Sequence, residues 1–402
     1  MVKVRPFKAI RPVRDKANLF ASRSYLTYSE ETIKEKLDHN PYTFLHIINP
    51  DYNNSKKATG TAKFKLVKKK FNQFISNGIL KKDDLESFYI YQKKNPLNTF
   101  TGIIGAAAVK DYQKNKIRKH EQTLTKREKM FRDYLDTTGF NADPVLLSHE
   151  PNKEIKVILE KYTITRPEYE FTTTNRSLHR LWLVNDENDI KNITNAFKGI
   201  DNIYIADGHH RCASSALLSE NTNSELSNYF MSYLIDENQL NILNFNRLVK
   251  NLNGLTTTKL LEKIQEKYTV IHKQESIYSP TLKNEISMYL DRKWYSLIAT
   301  KQKYKSTADT LDPSTLSKNI LKPLLNIIDE TTDDNISFLD GTIPLSTIKN
   351  KVDSGEFSAA FILKPISIKA IKEVADNNEI MPPKSTYVEP KLRSGLTIYP
   401  IK

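Results

Sequence analysis

The short apolar run Asn202-Ile203-Tyr204-Ile205-Ala206 leads directly into Asp207-Gly208-His209-His210-Arg211, and then into Cys212-Ala213-Ser214-Ser215-Ala216-Leu217-Leu218. Five polar or special residues thus crowd the end of an apolar strand, where open sheets place ligands. A helix starting here offers free backbone N–H groups and a partial positive charge to an anion. Gly208 lets the backbone approach a ligand, and Arg211 offers a planar fork for phosphate oxygens. Asp207 can cap the helix or hold a divalent metal, while His209 and His210 add donors that also serve as acids or bases. The chemistry this suggests is anion binding, phosphate above all. Residue type alone leaves a structural alternative: Asp207 as a cap, Arg211 paired with a surface carboxylate, and one histidine packed in the core.

Three other groups of residues carry possible chemistry. Glu121 stands beside Arg118, Lys119 and His120 in the charged stretch from Lys114 to Arg127, and composition alone reads it as a solvated carboxylate at a helix end. Lys384, Ser385, Thr386 and Lys391 lie in a segment stiffened by Pro382, Pro383 and Pro390, which lowers the entropy lost on binding. That segment is either a phosphate-binding loop or a turn into the last strand. It is not a P-loop, because the glycines are missing and Pro383 precedes the lysine. Arg247 is a further phosphate contact to consider, ahead of Arg176, His179 and Arg180, which flank a strand. Such residues at strand ends are often exposed or structurally paired.

The elements that must position these residues form a mixed α/β pattern. At 402 residues the chain exceeds one typical core, so two lobes are expected, at 1–250 and 251–402, the second with a terminal loop that returns to the active site. Strands are expected at Thr43–Ile48, Phe88–Tyr91, Pro144–Leu147, His179–Val184 and Asn202–Ala206, with a basic helix across Lys63–Ile75. Beyond residue 250, helices are expected at Thr256–Lys267, Ser314–Ile327, Leu345–Val352 and Ile366–Ala375. Strands are expected there at Ile286–Leu290, Trp294–Thr300, Ile336–Leu339, Ala359–Leu363 and Leu396–Tyr399. Trp182 alternates with apolar neighbours and reads as core.

Bulk composition narrows the class. Hydrophobic residues at 39% support a folded core, and the single cysteine, Cys212, excludes an internal disulfide and a thiolate metal site. The start of the sequence lacks the apolar core of a signal peptide, and no run approaches the ~20 apolar residues of a membrane span, so the cytoplasm is the expected location. Lys and Arg total 61 against 47 Asp and Glu, a net charge of +14 that favours anionic partners. The lysines of Lys63 to Lys70 read as a solvated helix face.

Ala206-Asp207-Gly208-His209-His210-Arg211 resembles the Asp-Gly-x-His-Arg signature of the ParB and sulfiredoxin-like superfamily, which includes free-serine kinases. The wider chain resembles domain-of-unknown-function family 1015. The pieces that carry this are Arg5-Pro6-Phe7, Phe44-Leu45-His46, Arg118-Lys119-His120-Glu121-Gln122-Thr123, the Asp-Gly-His-His-Arg box, Met381-Pro382-Pro383-Lys384-Ser385-Thr386, Pro390-Lys391-Leu392 and Ser394-Gly395-Leu396. One stretch departs from the pattern: Ala21-Ser22-Arg23-Ser24-Tyr25 stands where many members have a proline-rich Pro-Tyr-Asp segment.

The resemblance implies a ParB/sulfiredoxin-like catalytic core and a pyrophosphate-dependent serine kinase, making O-phosphoserine from free L-serine with Mg²⁺, in serine metabolism and cysteine biosynthesis. It implies Glu121 as the base for the serine hydroxyl, with Asp207, His209 and His210 in the catalytic group and Arg118 and His120 near the serine. Gly208, Arg211, Arg247, Lys384, Ser385, Thr386 and Lys391 would bind phosphate, and Asp207 would hold the metal. The partners would be L-serine and pyrophosphate, without membrane or nucleic acid. Two other readings share the same residues: a phosphomonoester hydrolase, and a ParB-like nucleotide- or nucleic-acid-binding protein, for which no helix-turn-helix with a basic recognition helix is visible.

Overall fold

A computed structural model describes residues 1–24, 27–300 and 303–402. Tyr25, the last residue of the departing segment at 21–25, lies outside the described residues. The fold is mixed α/β, and the chain divides into two compact units. The first comprises Met1–Lys119, Thr123–Leu240 and Pro390–Lys402; the second comprises His120–Gln122 and Asn241–Glu389.

The first unit is built on a nine-stranded sheet. Its strands are β1 (Val4–Arg5), β2 (Phe88–Lys94), β3 (Thr99–Ala108), β4 (Ile117–Arg118), β5 (Val145–His149), β6 (Tyr169–Thr172), β7 (Leu178–Val184), β8 (Ile203–Asp207) and β9 (Tyr229–Asp236). They run in the order β4-β8-β5-β9-β3-β2-β7-β6, with β1 pairing to β3. The pairs β4–β8 and β5–β9 are parallel and the rest antiparallel.

The longer helices of this unit include α1 (Gly60–Ser76), α2 (Thr125–Thr138), α3 (Lys153–Thr163), α4 (Glu187–Lys198) and α5 (His209–Glu220). One core joins Ile90, Ile103, Leu147, Trp182, Ile203 and Ile205 of the sheet to Ile155 and Ile158 of α3, Ile193 and Phe197 of α4, and Cys212 and Ala216 of α5. A second core lies under α1, where Val67, Phe71 and Phe74 meet Phe20, Phe44, Phe140 and Ile398. Part of the expected strand at Thr43–Ile48 is instead a helical turn, Leu45–Ile48. A short apolar run carries no period of its own, so packing decides its conformation.

The second unit holds a six-stranded antiparallel sheet of Phe245–Val249 (β10), Tyr268–Lys273 (β11), Glu285–Leu290 (β12), Lys293–Ala299 (β13), Ile336–Asp340 (β14) and Ala359–Ile362 (β15), in the order β11-β13-β12-β15-β10-β14. Its alternation is regular. Val249 and Met288 face one core with Leu316 and Ile320, while their neighbours Leu248 and Tyr289 face another with Ile348 and Trp294. The expected helix across 314–327 is α-helical at Asp312–Leu316 and Lys322–Leu325, with a π-helical turn at Ser317–Leu321 between them. A small third core of Ala308, Leu311, Ile366, Ile371, Val374 and Met381 anchors the segment that carries Ser385 and Thr386. Among the described residues, no helix is long and apolar enough to cross a membrane.

The expected strand at Leu396–Tyr399 is reduced to a single bridge, Ile10 to Ile398, and the two residues Tyr399–Pro400, which pair with Phe140–Asn141. These pairings place Pro390–Lys402 in the first unit.

Candidate functional site

In the first unit, β8 ends in a register shift between Ile205 and Asp207 against β5: Ile205 pairs with Leu147, but Asp207 pairs with Leu146. Directly paired residues share a face and successive residues alternate. Strict alternation would put Asp207 on the face of Ile205 and Leu147, inside the apolar core. The bulge turns it to the other face.

Gly208 then takes φ 106° and ψ 30°, the left-handed region, and starts α5 without a side-chain cap. A Cβ at 208 would lie 2.9 Å from Arg211 Nε and Nη2, so glycine is required both by the backbone and by the guanidinium seated over it. Gly208→Ala should therefore lower stability by about 1–3 kcal/mol in urea unfolding. A variant as stable as the wild type would show that neither the left-handed backbone nor the guanidinium constrains residue 208.

Arg211 donates through Nη1 to the Pro144 carbonyl and through Nη2 to Asp207 Oδ2, at 2.5 Å. Ser214 and Ser215 donate to its backbone carbonyl. The second carboxylate oxygen, Asp207 Oδ1, accepts from Lys391 Nζ at 2.6 Å, across 184 residues of sequence. Burial pushes the Asp207 carboxyl up, but the Lys391 ammonium and the Arg211 guanidinium outweigh it and hold the pKa at about 2. Asp207 is thus an orienting carboxylate between two cations, and not the helix cap.

The sign of its pH dependence follows from the depressed pKa. The stability it contributes is present above the usual carboxyl pKa of about 4 and is lost as pH falls through about 2. Asp207→Asn should remove this part of the acid sensitivity. Acid-unfolding curves for wild type and variant that differ equally at pH 5 and pH 2 would refute the ion-paired state.

The metal role expected of Asp207 does not fit this geometry, because both oxygens are committed to cations. Among the described residues, no group of three or more His, Cys, Asp or Glu side chains lies close enough to hold a metal ion.

His209 is buried. His210 is half-buried, and its pKa is lowered by burial and by Arg127, against the opposing pull of Glu128. Arg118, on the edge strand β4, pairs in register with Tyr204 of β8, three positions before Asp207.

In the second unit, His120 and Glu121 are stitched to the loop after Ile380: Met381 N–H donates to the His120 carbonyl at 2.9 Å, and Glu121 forms a parallel bridge with Met381. A small cleft is lined by His120, Glu121, Met381, Pro382, Ser385 and Thr386. Four expected site residues, His120, Glu121, Ser385 and Thr386, are therefore brought to one place. His120 is 1% exposed, and burial lowers its pKa to about 4, so it is neutral at pH 7. The Ser385 hydroxyl donates to Pro382 O at 2.7 Å.

Two expected phosphate ligands depart from that role. Arg247 is fully buried, donates to the Phe245 carbonyl, faces Glu330 at 3.7 Å, and has its pKa lowered to about 10 by burial. It is a core cation and presents nothing to solvent. Lys384, at φ 55°, places its ammonium over the Phe245 ring, 5.1 Å from the centroid, and does not line the cleft.

Two cations near Lys391, Lys93 and Arg393, were missed from sequence. Arg393 stands two residues after Lys391 in the same segment, a signal that was available; nothing local marks Lys93, an ordinary lysine on a strand.

No curated protein matches the chain. Among solved structures, it is similar to a free serine kinase in complex with AMP, at 15% identity over 73% of this chain and 92% of that one, with a TM-score of 0.39. It is also similar to SbnI with C-terminal truncation from Staphylococcus aureus, at 14% identity over 74% and 87%, with a TM-score of 0.40. A conserved hypothetical protein from Pyrococcus furiosus matches at 15% identity over 73% and 95%, with a TM-score of 0.36. The family described as protein of unknown function, DUF1015, matches residues 4–317, which take in the bulged strand, the Asp-Gly-His-His-Arg box and Glu121 but not the segment at 381–396. With more than three quarters of its length matched, the chain belongs to the DUF1015 family.

Proposed function

We propose that the protein transfers a phosphoryl group from pyrophosphate to the hydroxyl of free L-serine, giving O-phosphoserine and inorganic phosphate. The observation that carries this reading is the pair of cations, Lys391 and Arg211, held on Asp207 at the start of an uncapped helix. One carboxylate between two cations leaves a net positive field and fixes its donors in advance, which suits a polyanion. His209 and His210 open the same helix and add donors.

Phosphoryl transfer asks for positioning, charge neutralisation and a proton acceptor. Glu121 is assigned as that acceptor, with the Ser385 and Thr386 hydroxyls beside it in the cleft. The serine Oγ attacks the phosphorus as its proton passes to Glu121. The new Oγ–P bond forms while the bridging P–O bond breaks, and the leaving phosphate keeps that electron pair. Arg118 and the neutral His120 are assigned to holding serine. Magnesium belongs to the substrate, entering as the counter-ion of pyrophosphate.

The test is incubation with serine and pyrophosphate, ATP or ADP in turn, and with O-phosphoserine alone, followed by ³¹P NMR. O-phosphoserine formed from pyrophosphate is the expected result. No product from any donor would sink the reading, and phosphate released from O-phosphoserine alone would mark a hydrolase.

A further inference from the structure

In the first unit Lys93 is buried and Arg393 is half-buried. Lys93 on β2 stands directly across from His179 on β7, so the two side chains leave the same face of the sheet. Lys93 is 8% exposed and His179 1%. The Lys93 ammonium donates to the Lys391 carbonyl at 3.2 Å, and the ammonium of that same Lys391 holds Asp207. Arg393 follows two residues later and acts on both Tyr91 and His179. The groups facing Arg393 are the phenols of Tyr28 and Tyr91 and the guanidinium of Arg23.

The His179 ring is stacked between Phe171 and Tyr91, with centroids at 5.2 and 6.0 Å. The buried Tyr91 hydroxyl must place its proton on an acceptor, and its partner is His179 Nδ1 at 2.7 Å. Burial, Arg393 and Lys93 together keep this imidazole neutral, so its hydrogen is on Nε2. Nε2 has no hydrogen-bond partner among the described residues. A buried donor without a partner costs free energy until an acceptor arrives, and with Lys93 and Arg393 both acting on the ring an anion meets that need.

We propose that Lys93, Arg393 and His179 Nε2–H form an anion subsite for the phosphate of pyrophosphate that is not transferred. The proposal rests on the reading of pyrophosphate as donor. Lys391 links the two halves: its carbonyl orients Lys93, and its ammonium stands with Arg211 on Asp207. When the bridging P–O bond breaks, the charge gathered on the leaving phosphate is balanced by Lys93 and Arg393.

Calorimetric titration of the full chain with inorganic pyrophosphate and with phosphate tests the subsite, using wild type, Arg393→Gln, Lys93→Met and Arg393→Lys. Both neutral variants should weaken pyrophosphate binding at least about tenfold, the effect of losing one charged hydrogen bond. They should also lose the pyrophosphate-dependent rise in unfolding temperature, while Arg393→Lys recovers part of each. Unchanged affinity in both neutral variants overturns the subsite, as does a wild type that binds neither anion. Serine phosphorylation measured alongside separates this from the preceding reading. If wild type binds pyrophosphate through these residues but never phosphorylates serine, the subsite stands and the serine kinase fails. If serine is phosphorylated with the same Michaelis constant for pyrophosphate in the neutral variants, the kinase stands and the subsite fails.

Discussion

Glu121→Gln is expected to bind serine with near-normal affinity and to turn over about 10²- to 10⁴-fold more slowly, the usual cost of a lost general base. Glutamine keeps the size of the side chain but cannot accept the serine proton. The backbone around it should not move, because Met381 N–H holds the His120 carbonyl and residues 121 and 381 pair as a bridge. Folding and catalysis can therefore be read separately. Steady-state rates with serine and pyrophosphate, beside calorimetric serine binding, give the comparison. Wild-type turnover in the variant would leave Glu121 as an ordinary carboxylate beside a small cleft, and the proton acceptor would have to be sought elsewhere.

Arg211→Lys is expected to lose about 10²-fold or more in kcat/KM, the scale of one preorganised donor removed from a developing anion. The guanidinium spans the Pro144 carbonyl and Asp207 at once, whereas an ammonium is a point donor that can satisfy only one of them well. The loss should appear mainly in the constants for pyrophosphate, while the unfolding transition stays cooperative. An Arg211→Lys enzyme with unchanged kinetics would remove Arg211 from donor binding and leave it as a brace between β8 and the segment before β5.

Much of the candidate site was legible in the chain. The strand, glycine and helix around Asp207 can be read locally, because a short apolar run, a glycine and a run of small residues follow one another in the order of a strand, a left-handed turn and a closely packed helix. The Glu121 segment and the proline-bound loop at 381–386 could be named, but not joined. Local pattern also misjudged Arg247, since an arginine at a strand end reads the same whether it faces solvent or, as here, Glu330 in a core. Thr43–Ile48 failed for a related reason, its apolar residues fitting a turn of helix as well as a strand.

By itself the sequence determined the α/β class, most strands and helices of both units, and the strand-glycine-helix turn that carries the charged Asp-Gly-His-His-Arg box. These depend on period, backbone freedom and charge within a few residues. Only the tertiary structure decided that the bulge before Asp207 turns its carboxylate out of the core, that Lys391 reaches it from 184 residues away, and that Ser385 and Thr386 share a cleft with Glu121. Each is a non-local pairing whose partners lie on separate elements. No composition or spacing near either residue encodes it, because the energy that selects it comes from packing and charge that exist only once the chain has folded.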